Sequence, residues 1–467
     1  MKNFELNKTY CNPTPLPDYP IGRTCYNNLD GETFRETADP TVIYEDGKWY
    51  LYPSCGMAYW SEDFIHWNHE RLETYDIGYA PTVVKHKGKF YLTACLSDMY
   101  VGDTPLGPFR SLGTFKKPDG EAIKFYDPMV FSDDDDRLYI YYYNIGGGIG
   151  GAELDPDDPT QLITEPALMF PYDTVNHEWE RLGDWCQDGN NSCIEGPWLY
   201  KRNGVYYLTY CGPGTEWQTY AMGAYKGPSP MGPWTYMETS PFITKKSGIV
   251  RGPGHGCIVD GPNGTTWAFY TCTVCYSHPF ERRIGYDSIG FDENGDIVPC
   301  EATEIPQWAP GYLPEPEKGN NVGIIPLTQR CVTAASSYVE GRNPIYAVDD
   351  SMITWWQPSN DDPEPSITIK LSDYNMNICS MRIIWRDVGI SLRDNIAPGP
   401  FKYIVEAKEL DGEWVTVLDE STNEKDMLID YKPVREMKAQ CVRLTITGHP
   451  EGVAPAVTNF TVFGYWK

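Results

Sequence analysis

The chain has 467 residues, enough for two or three domains with sizeable cores. Acidic residues number 65 against 38 lysines and arginines, and the resulting formal net charge of -27 disfavours a nucleic-acid partner because the surface repels phosphate backbones. The 34 tyrosines, 16 phenylalanines and 15 tryptophans, with 43 glycines and 39 prolines, favour many short strands and turns over a helical bundle or a disordered chain.

The sequence contains no run of about 18 apolar residues, so we expect no transmembrane helix and no membrane partner. The first six residues, MKNFEL, lack the apolar region of a signal peptide, which makes the cytoplasm the default expectation. The 14 cysteines have no regular spacing and are expected to be reduced, mostly buried thiols.

A repeated unit of strand, polar turn and aromatic strand occupies the first 300 residues. In four copies a proline precedes a tyrosine by 10 or 11 residues: Pro40 and Tyr50, Pro81 and Tyr91, Pro128 and Tyr139, Pro197 and Tyr207. A looser fifth copy runs from His255 to Tyr270. Five such units predict a five-bladed β-propeller over residues 1–309 of an all-β protein.

The repeat stops after Trp308, where a stretch rich in proline and glycine predicts a linker over 310–321. Alternating strand patterns then resume, as at 366–371 (SITIKL) and 402–407 (KYIVEA). Residues 322–467 therefore predict a separate β-sandwich of the jelly-roll type, with a size typical of one domain.

The first strand of each propeller blade lines the central axis, so equivalent residues of the repeat converge there. The residues just before the repeated prolines, or at the matching place, are Asp39, Ala80, Asp127, Glu195 (one place earlier) and His255. Carboxylates that crowd together push their pKa values apart, so that one serves as an acid and another as a base. Glycoside hydrolysis requires such a pair.

The propeller half resembles glycoside hydrolase family 43, the five-bladed β-xylosidases and α-L-arabinofuranosidases. The resemblance rests on residues 38–42 (ADPTV), 126–131 (YDPMVF), 194–197 (IEGP) and 204–208 (GVYYL). It implies Asp39 as the general base, Glu195 as the general acid, and Asp127 as the residue that orients the acid and tunes its pKa. It also implies inversion at the anomeric carbon.

Three further expectations concern the surroundings of these carboxylates. In relatives, a histidine equivalent to His255 lies near a central calcium held largely by water, so a structural calcium is compatible with the chain, although no cofactor is expected to be required. The resemblance also implies a substrate-binding arginine near 282–283, for which we favour Arg283. Trp60, Trp185 and Trp217 are candidates for stacking on sugar rings, with packing between blades as the alternative.

The C-terminal domain resembles, more weakly, the discoidin-like or galactose-binding-like sandwich. The resemblance rests on 347–356 (AVDDSMITWW), 366–371, 402–407 and 412–415 (GEWV). Such a domain implies either carbohydrate binding or a brace for the active site, and we favour the brace. Asp349 and Asp350 are candidates for a structural cation loop.

The sequence therefore predicts an inverting glycoside hydrolase that removes a terminal pentose, β-D-xylose or α-L-arabinofuranose, from plant-derived oligosaccharides or glycosides. One alternative is an exo-acting β-galactosidase-type hydrolase on the same fold. The other is a non-catalytic sugar-binding propeller, against which the three axial carboxylates argue. The sequence gives no expectation for the oligomeric state.

Overall fold

A computed structural model describes residues 5–22, 33–54, 56–72, 77–312 and 320–466. It divides into two compact units. One comprises Thr37–Thr273 with Arg282–Ala302, and the other comprises Met1–Glu36, Val274–Glu281 and Thr303–Lys467. Among the described residues, no helix is both long enough and apolar enough to cross a membrane.

The first unit is a five-bladed β-propeller whose sheets are antiparallel except for one parallel pair, Ile243–Thr244 with Cys300–Glu301, in blade 4. The innermost strand of each blade contacts the innermost strands of the two neighbouring blades, so the five strands form a closed ring. These innermost strands are Thr41–Glu45, Thr82–His86, Tyr126–Ser132, Glu195–Arg202 and Gly254–Asp260. The predicted propeller and its blade count are confirmed.

The remaining strands of each blade follow outward from the axis. Blade 1 continues with Lys48–Tyr52, Met57–Ser61 and Asn68–Arg71, and blade 2 with Lys89–Thr93, Met99–Gly102 and Arg110–Gly113. Blade 3 continues with Leu138–Asn144, Gly148–Leu154 and Ala167–Phe170, and blade 5 with Thr266–Thr273 and Arg282–Ile289. Blade 4 contains Val205–Gly212, Ala221–Gly227, Thr235–Tyr236, Ile243–Thr244 and Cys300–Glu301. A small hairpin, Phe115–Lys116 with Ala122–Ile123, follows blade 2, and short 3₁₀ helices lie at Glu178–Glu180 and Pro262–Gly264.

Two-residue turns set the register of the inner hairpins. In blades 1, 2 and 4 the turn pairs are Asp46 with Gly47, Lys87 with Gly88, and Asn203 with Gly204, and all six residues have positive φ. Two positive φ angles are characteristic of the type I′ turn, whose twist matches that of paired strands. In these three blades the turn therefore helps to set which residue of the innermost strand stands at the axial end.

Aromatic packing between blades 5 and 1 closes the ring. Phe64 lies 5.2 Å from Trp267 and 4.2 Å from Tyr286, measured between ring centroids, and Trp49 lies 6.2 Å from Phe269. All five rings are buried. Because large rings bury more apolar area than aliphatic side chains, this cluster stabilises the contact between the two blades.

The second unit contains a β-sandwich of two antiparallel sheets. In hydrogen-bonding order, one sheet consists of Ile325–Pro326, Ala454–Tyr465, Met376–Val388 and Ile429–Ala439. The other consists of Val332–Ala335, Ser366–Lys370, Cys441–Gly448, Lys402–Lys408 and Trp414–Glu420. The remaining elements are the 3₁₀ helices Leu6–Lys8 and Pro344–Val348 and a strand pair, Thr9–Tyr10 with Gln307–Trp308.

The compact units differ from the domain bounds that the sequence predicts. The first 36 residues belong with the sandwich, where Arg35 forms ion pairs with Asp387 and Asp426. The segment Val274–Glu281 also belongs there, although the blade 5 strands on either side of it belong to the propeller. The repeat gave no signal for either assignment, because these contacts join residues far apart in the sequence. Within the predicted linker, residues 313–319 lie outside the described part of the chain.

Candidate active site

The five axial positions share one unusual backbone conformation. Asp39, Ala80, Asp127, Gly196 and His255 all have φ between 38° and 56°, in the left-handed region that non-glycine residues rarely adopt. A small cavity on the axis is lined by residues of all five blades. Backbone strain of this kind concentrates at functional sites, and here it occurs at the non-glycine residue of four of the five blades.

The strain accompanies a break in strand pairing. In blades 3, 4 and 5 the register of the innermost strand shifts across Asp127, Gly196 and His255. A bulge of this type turns a side chain away from the regular alternation of a strand. In blade 4 the left-handed position is Gly196, so the carboxylate comes from the residue before it. This agrees with the comparison of the repeat copies, which placed Glu195 one position earlier.

Glycine is required at position 196 for two reasons. Its φ is 56°, and a Cβ atom there would lie 2.8 Å from Cγ of His255 and 2.9 Å from Sγ of Cys211. Both distances are shorter than real Cβ contacts. The close approach of the backbone therefore brings the imidazole against the strand that carries Glu195.

Asp39 is buried among hydrogen-bond donors. Its carboxylate accepts hydrogen bonds from Nη1 of Arg282 at 2.9 Å and from the hydroxyl of Ser54 at 2.6 Å, and Nδ1 of His255 lies 3.4 Å away. Its backbone N–H donates to the hydroxyl of Thr271 at 2.8 Å. Burial alone raises the pKa of Asp39, but Arg282, His255 and the Ser54 hydrogen bond outweigh burial and hold its pKa below the ordinary value. Asp39 is therefore ionised near neutral pH.

Glu195 lies in a different environment. The phenol of Tyr220 donates to Oε1 at 2.7 Å, and Sγ of Cys193 lies 3.6 Å from Oε2. Burial and, next, the Asp127 carboxylate raise the pKa of Glu195 to about 7, although His255 and the Tyr220 hydrogen bond oppose the rise. A large fraction of Glu195 therefore stays protonated near neutral pH.

Asp127 connects the two carboxylates electrostatically. Burial and then the charge of Asp39 raise its pKa to about 7, against a hydrogen bond from the backbone N–H of Gly196. Oδ2 of Asp127 lies 3.9 Å from Nδ1 of His255. The site thus contains one carboxylate stabilised as an anion and two carboxyl groups with pKa values near 7, each of them partly protonated and partly ionised near neutral pH.

His255 adjoins both Asp39 and Asp127, and with Glu195 and Cys211 it forms a group whose candidate ligand atoms lie within 4.8 Å of one another. This group offers one carboxylate, one thiol and one imidazole, whereas calcium prefers six to eight oxygen ligands. It does not fit a calcium ion bound directly by these side chains. A water-mediated calcium near His255 remains a prediction.

The arginine that reaches the carboxylates is Arg282. Arg283, which the sequence analysis favoured, is the next residue on the same strand, and its Nη1 donates to the backbone carbonyl of Arg282 at 2.7 Å. Because successive strand residues point to opposite faces, Arg283 faces away from Asp39. Its predicted contact with substrate stays a prediction.

The three tryptophans lie in different places. Trp60 is on the third strand of blade 1, opposite Tyr50 and Asn68, so it is two strands away from the axis. Trp217 lies in the loop 213–220 of blade 4, at the end of the blade that carries Glu195. Trp185 lies in the loop before blade 4 and is 80% exposed.

Sequence reasoning missed several residues of the site: Ser54, Cys193, Cys211, Tyr220, Thr271 and Arg282 as the partner of Asp39. None of them stands at the axial position of the repeat. Thr271 and Arg282 occupy the second and third strands of blade 5, and Tyr220 is the last residue of the loop 213–220 of blade 4. Tyr220 and Thr271 lie outside the quoted copies of the repeat and carry no sequence signal of their own.

Comparison with known proteins fits this geometry. A family model described as glycosyl hydrolases family 43 matches residues 33–297, more than half of the chain. The chain belongs to this family. It is therefore a glycoside hydrolase, an enzyme that cleaves O-glycosyl bonds, and the non-catalytic alternative is not favoured.

Named relatives of this family 43 chain include two proteins of Xylanibacter ruminicola. A "Putative beta-xylosidase" is 27% identical over 59% of this chain and 54% of its own length, so the match spans about half of that relative. A "Beta-xylosidase" is 27% identical over 49% of this chain and 90% of its own length. A solved structure titled "Glycoside hydrolase" matches 91% of this chain and 97% of its own with a TM-score of 0.52; at 19% identity it shows the fold alone.

Proposed function

We propose that this family 43 enzyme removes terminal pentose, β-D-xylose or α-L-arabinofuranose, from plant-derived oligosaccharides or glycosides with inversion at the anomeric carbon. Two relatives support the sugar class by their names, the "Beta-xylosidase" of Xylanibacter ruminicola and a "Xylosidase/arabinosidase" of Bacteroides ovatus. The acidic surface and the aromatic content are compatible with a neutral carbohydrate substrate.

The observation that carries the proposal is the opposite displacement of two pKa values in one site. Arg282, His255 and Ser54 lower the pKa of Asp39 despite its burial, and burial with Asp127 raises the pKa of Glu195 to about 7. Hydrolysis with inversion requires one ionised carboxylate and one protonated carboxylic acid at the same pH. These two environments meet that requirement.

In the proposed reaction, a water molecule attacks the anomeric carbon through its oxygen while Asp39 accepts a proton from that water. The bond between that carbon and the glycosidic oxygen breaks, the bonding electrons go to the leaving oxygen, and Glu195 protonates it. Asp127 raises the pKa of Glu195, and Arg282 keeps Asp39 ionised and fixed in place. Proton exchange with solvent then returns both carboxyl groups to their starting states. No step uses a metal ion.

The test is hydrolysis of a panel of aryl glycosides by the purified enzyme. The panel contains the β-D-xyloside, the α-L-arabinofuranoside and the β-D-galactoside, the last representing the alternative on the same fold. Proton NMR of the first-formed anomer reports the stereochemistry. We expect turnover of one or both pentosides and a product of inverted configuration, with Asp39→Asn at background.

Three results would contradict the proposal. A product of retained configuration would exclude Asp39 as a base acting through water. Hydrolysis of the galactoside alone would replace the pentose assignment. Full activity in Asp39→Asn would remove Asp39 from the mechanism.

A further inference from the structure

The exposed Trp185 lies on a turn whose backbone is held by hydrogen bonds. The backbone of Leu182 bridges that of Asp188, which closes a short turn with Trp185 at its tip. The N–H of Cys186 donates to the carbonyl of Gly183 at 3.0 Å, and the N–H of Trp185 donates to Oε1 of Gln187 at 2.9 Å. The turn is therefore ordered by its own hydrogen bonds, although 80% of Trp185 is exposed.

The turn is also tied to the neighbouring loop of blade 4. The hydroxyl of Thr219 donates to the carbonyl of Gly183 at 2.9 Å. The N–H of Gln218 donates to Oδ1 of Asp184 at 3.0 Å, and its side-chain amide donates to the Asp184 carbonyl at 3.3 Å. Three hydrogen bonds from two successive residues thus fix both Gly183 and Asp184, the residues that immediately precede Trp185.

The same loop supports Glu195. Tyr220 directly follows Thr219, and its phenol donates to Glu195 at 2.7 Å. Glu195 begins the first strand of blade 4, and the loop 213–220 joins the end of the second strand to the start of the third. In antiparallel strands these points lie at one end of the blade. The turn that carries Trp185 is hydrogen-bonded to this loop, so Trp185 lies at the same end of blade 4 as Glu195.

We propose that Trp185 forms part of the subsite for the leaving group, where its indole ring stacks on the sugar or other ring that departs from the scissile bond. This rests on the proposed function, in which Glu195 protonates the leaving oxygen and thus marks the leaving-group side of the site. The ring is exposed to water and its backbone is already held in place. Packing of a pyranose face on such a ring costs little entropy. Trp185 is thus a specificity-determining residue.

The test compares two substrates that share the sugar removed and differ in what leaves. One is the glycosyl fluoride, whose departing fluoride has no ring to stack, and the other is the unmodified disaccharide. We expect Trp185→Ala to lower kcat/KM for the disaccharide about 10-fold, which corresponds to the loss of one aromatic contact, and to change the fluoride rate by less than about 2-fold. Trp185→Phe should recover most of the loss, and Trp466→Ala, which removes another exposed tryptophan, serves as the matched control.

The outcomes separate the two proposals. Failure of the wild-type enzyme to cleave any pentoside would refute the proposed function, and the subsite would fall with it. With an active wild type, equal losses on both substrates, no loss on the disaccharide, or an equal loss in Trp466→Ala would overturn the role of Trp185 and leave the proposed function standing.

Discussion

The blade 1 side and the blade 4 side of the axial site give opposite environments to the same functional group. Asp39 of blade 1 is surrounded by donors and a cation, namely Ser54, Arg282 and His255. Glu195 of blade 4 has one phenol donor, two neighbouring thiols and the nearby anion Asp127. Asp39 is buried and Glu195 is half-buried. The comparison shows that burial alone does not decide protonation here; the partners in the adjacent strands and loops do.

The largest expected effect comes from removing each carboxylate and varying the leaving group. Asp39→Asn should lower kcat/KM about 10³-fold for every substrate, because water must still be activated whatever departs. Glu195→Gln should lower it about 10³-fold for a poor leaving group and much less for dinitrophenolate or fluoride, which need no proton. Steady-state rates on a leaving-group series measure both.

Equal dependence on the leaving group in the two variants would contradict the assignment of base and acid. Asp127→Asn keeps both the base and the acid and tests only how Asp127 affects the pKa of Glu195. It should lower the pKa of Glu195 by removing an anion, and so move the alkaline limb of the rate profile to lower pH.

Removing Arg282 tests the environment that Asp39 has on the blade 1 side of the site. Arg282→Gln removes the cation that most strongly lowers the pKa of Asp39, so burial then dominates and that pKa rises. The acid limb of the kcat/KM profile should move to higher pH, with about 10²-fold lost below neutrality. Arg282→Lys, which keeps a cation, should recover part of the lost kcat/KM.

Arg283→Gln is the matched comparison, since it removes an equally buried guanidinium from the adjacent residue. It should leave the acid limb in place, and if Arg283 binds substrate as predicted it should raise KM. A displaced acid limb in Arg283→Gln alone would show that the two arginines have been assigned in the wrong order.

The blade 4 environment is tested by Tyr220→Phe. The phenol lowers the pKa of Glu195, so its removal should raise that pKa and move the alkaline limb to higher pH. The effect on the maximal rate should be small, about 3-fold, because burial and Asp127 remain. A shift to lower pH in the rate profile would contradict the direction of this contribution.

The sequence predicts the axial carboxylates well and their partners poorly, for a physical reason. Asp39, Asp127 and His255 occupy the equivalent position of the repeat in blades 1, 3 and 5, where the backbone takes the same left-handed conformation, so the repeat reveals them. Thr271 and Arg282 reach Asp39 only because blade 5 closes against blade 1, more than 230 residues along the chain. No local pattern encodes that closure.

The choice between Arg282 and Arg283 illustrates the same limit. Family resemblance restricts the contact to two adjacent residues, but strand alternation places them on opposite faces, and only the register of the third strand of blade 5 decides which one faces the axis. Similarly, the N-terminal 36 residues carry no repeat, so nothing in the sequence associates Arg35 with Asp387 and Asp426.

The smallest expected effect is on stability, and its sign differs between the two sides of the site. The folded-state pKa of Glu195 is raised, so the folded protein holds a proton that the unfolded chain loses above about pH 4.3, and stability falls as pH rises from there to about 7. Glu195→Gln avoids this loss and should raise Tm by about 2 °C at pH 7.5, but not at pH 4.

The folded-state pKa of Asp39 is lowered, so its ionised form stabilises the fold above about pH 3.9 and loses that contribution in acid. Asp39→Asn should therefore lower Tm at pH 7.5 and lower it less at pH 3. Calorimetry of both variants across this range measures the contrast, and shifts of the same sign at pH 7.5 would mean that the donors around Asp39 do not outweigh its burial.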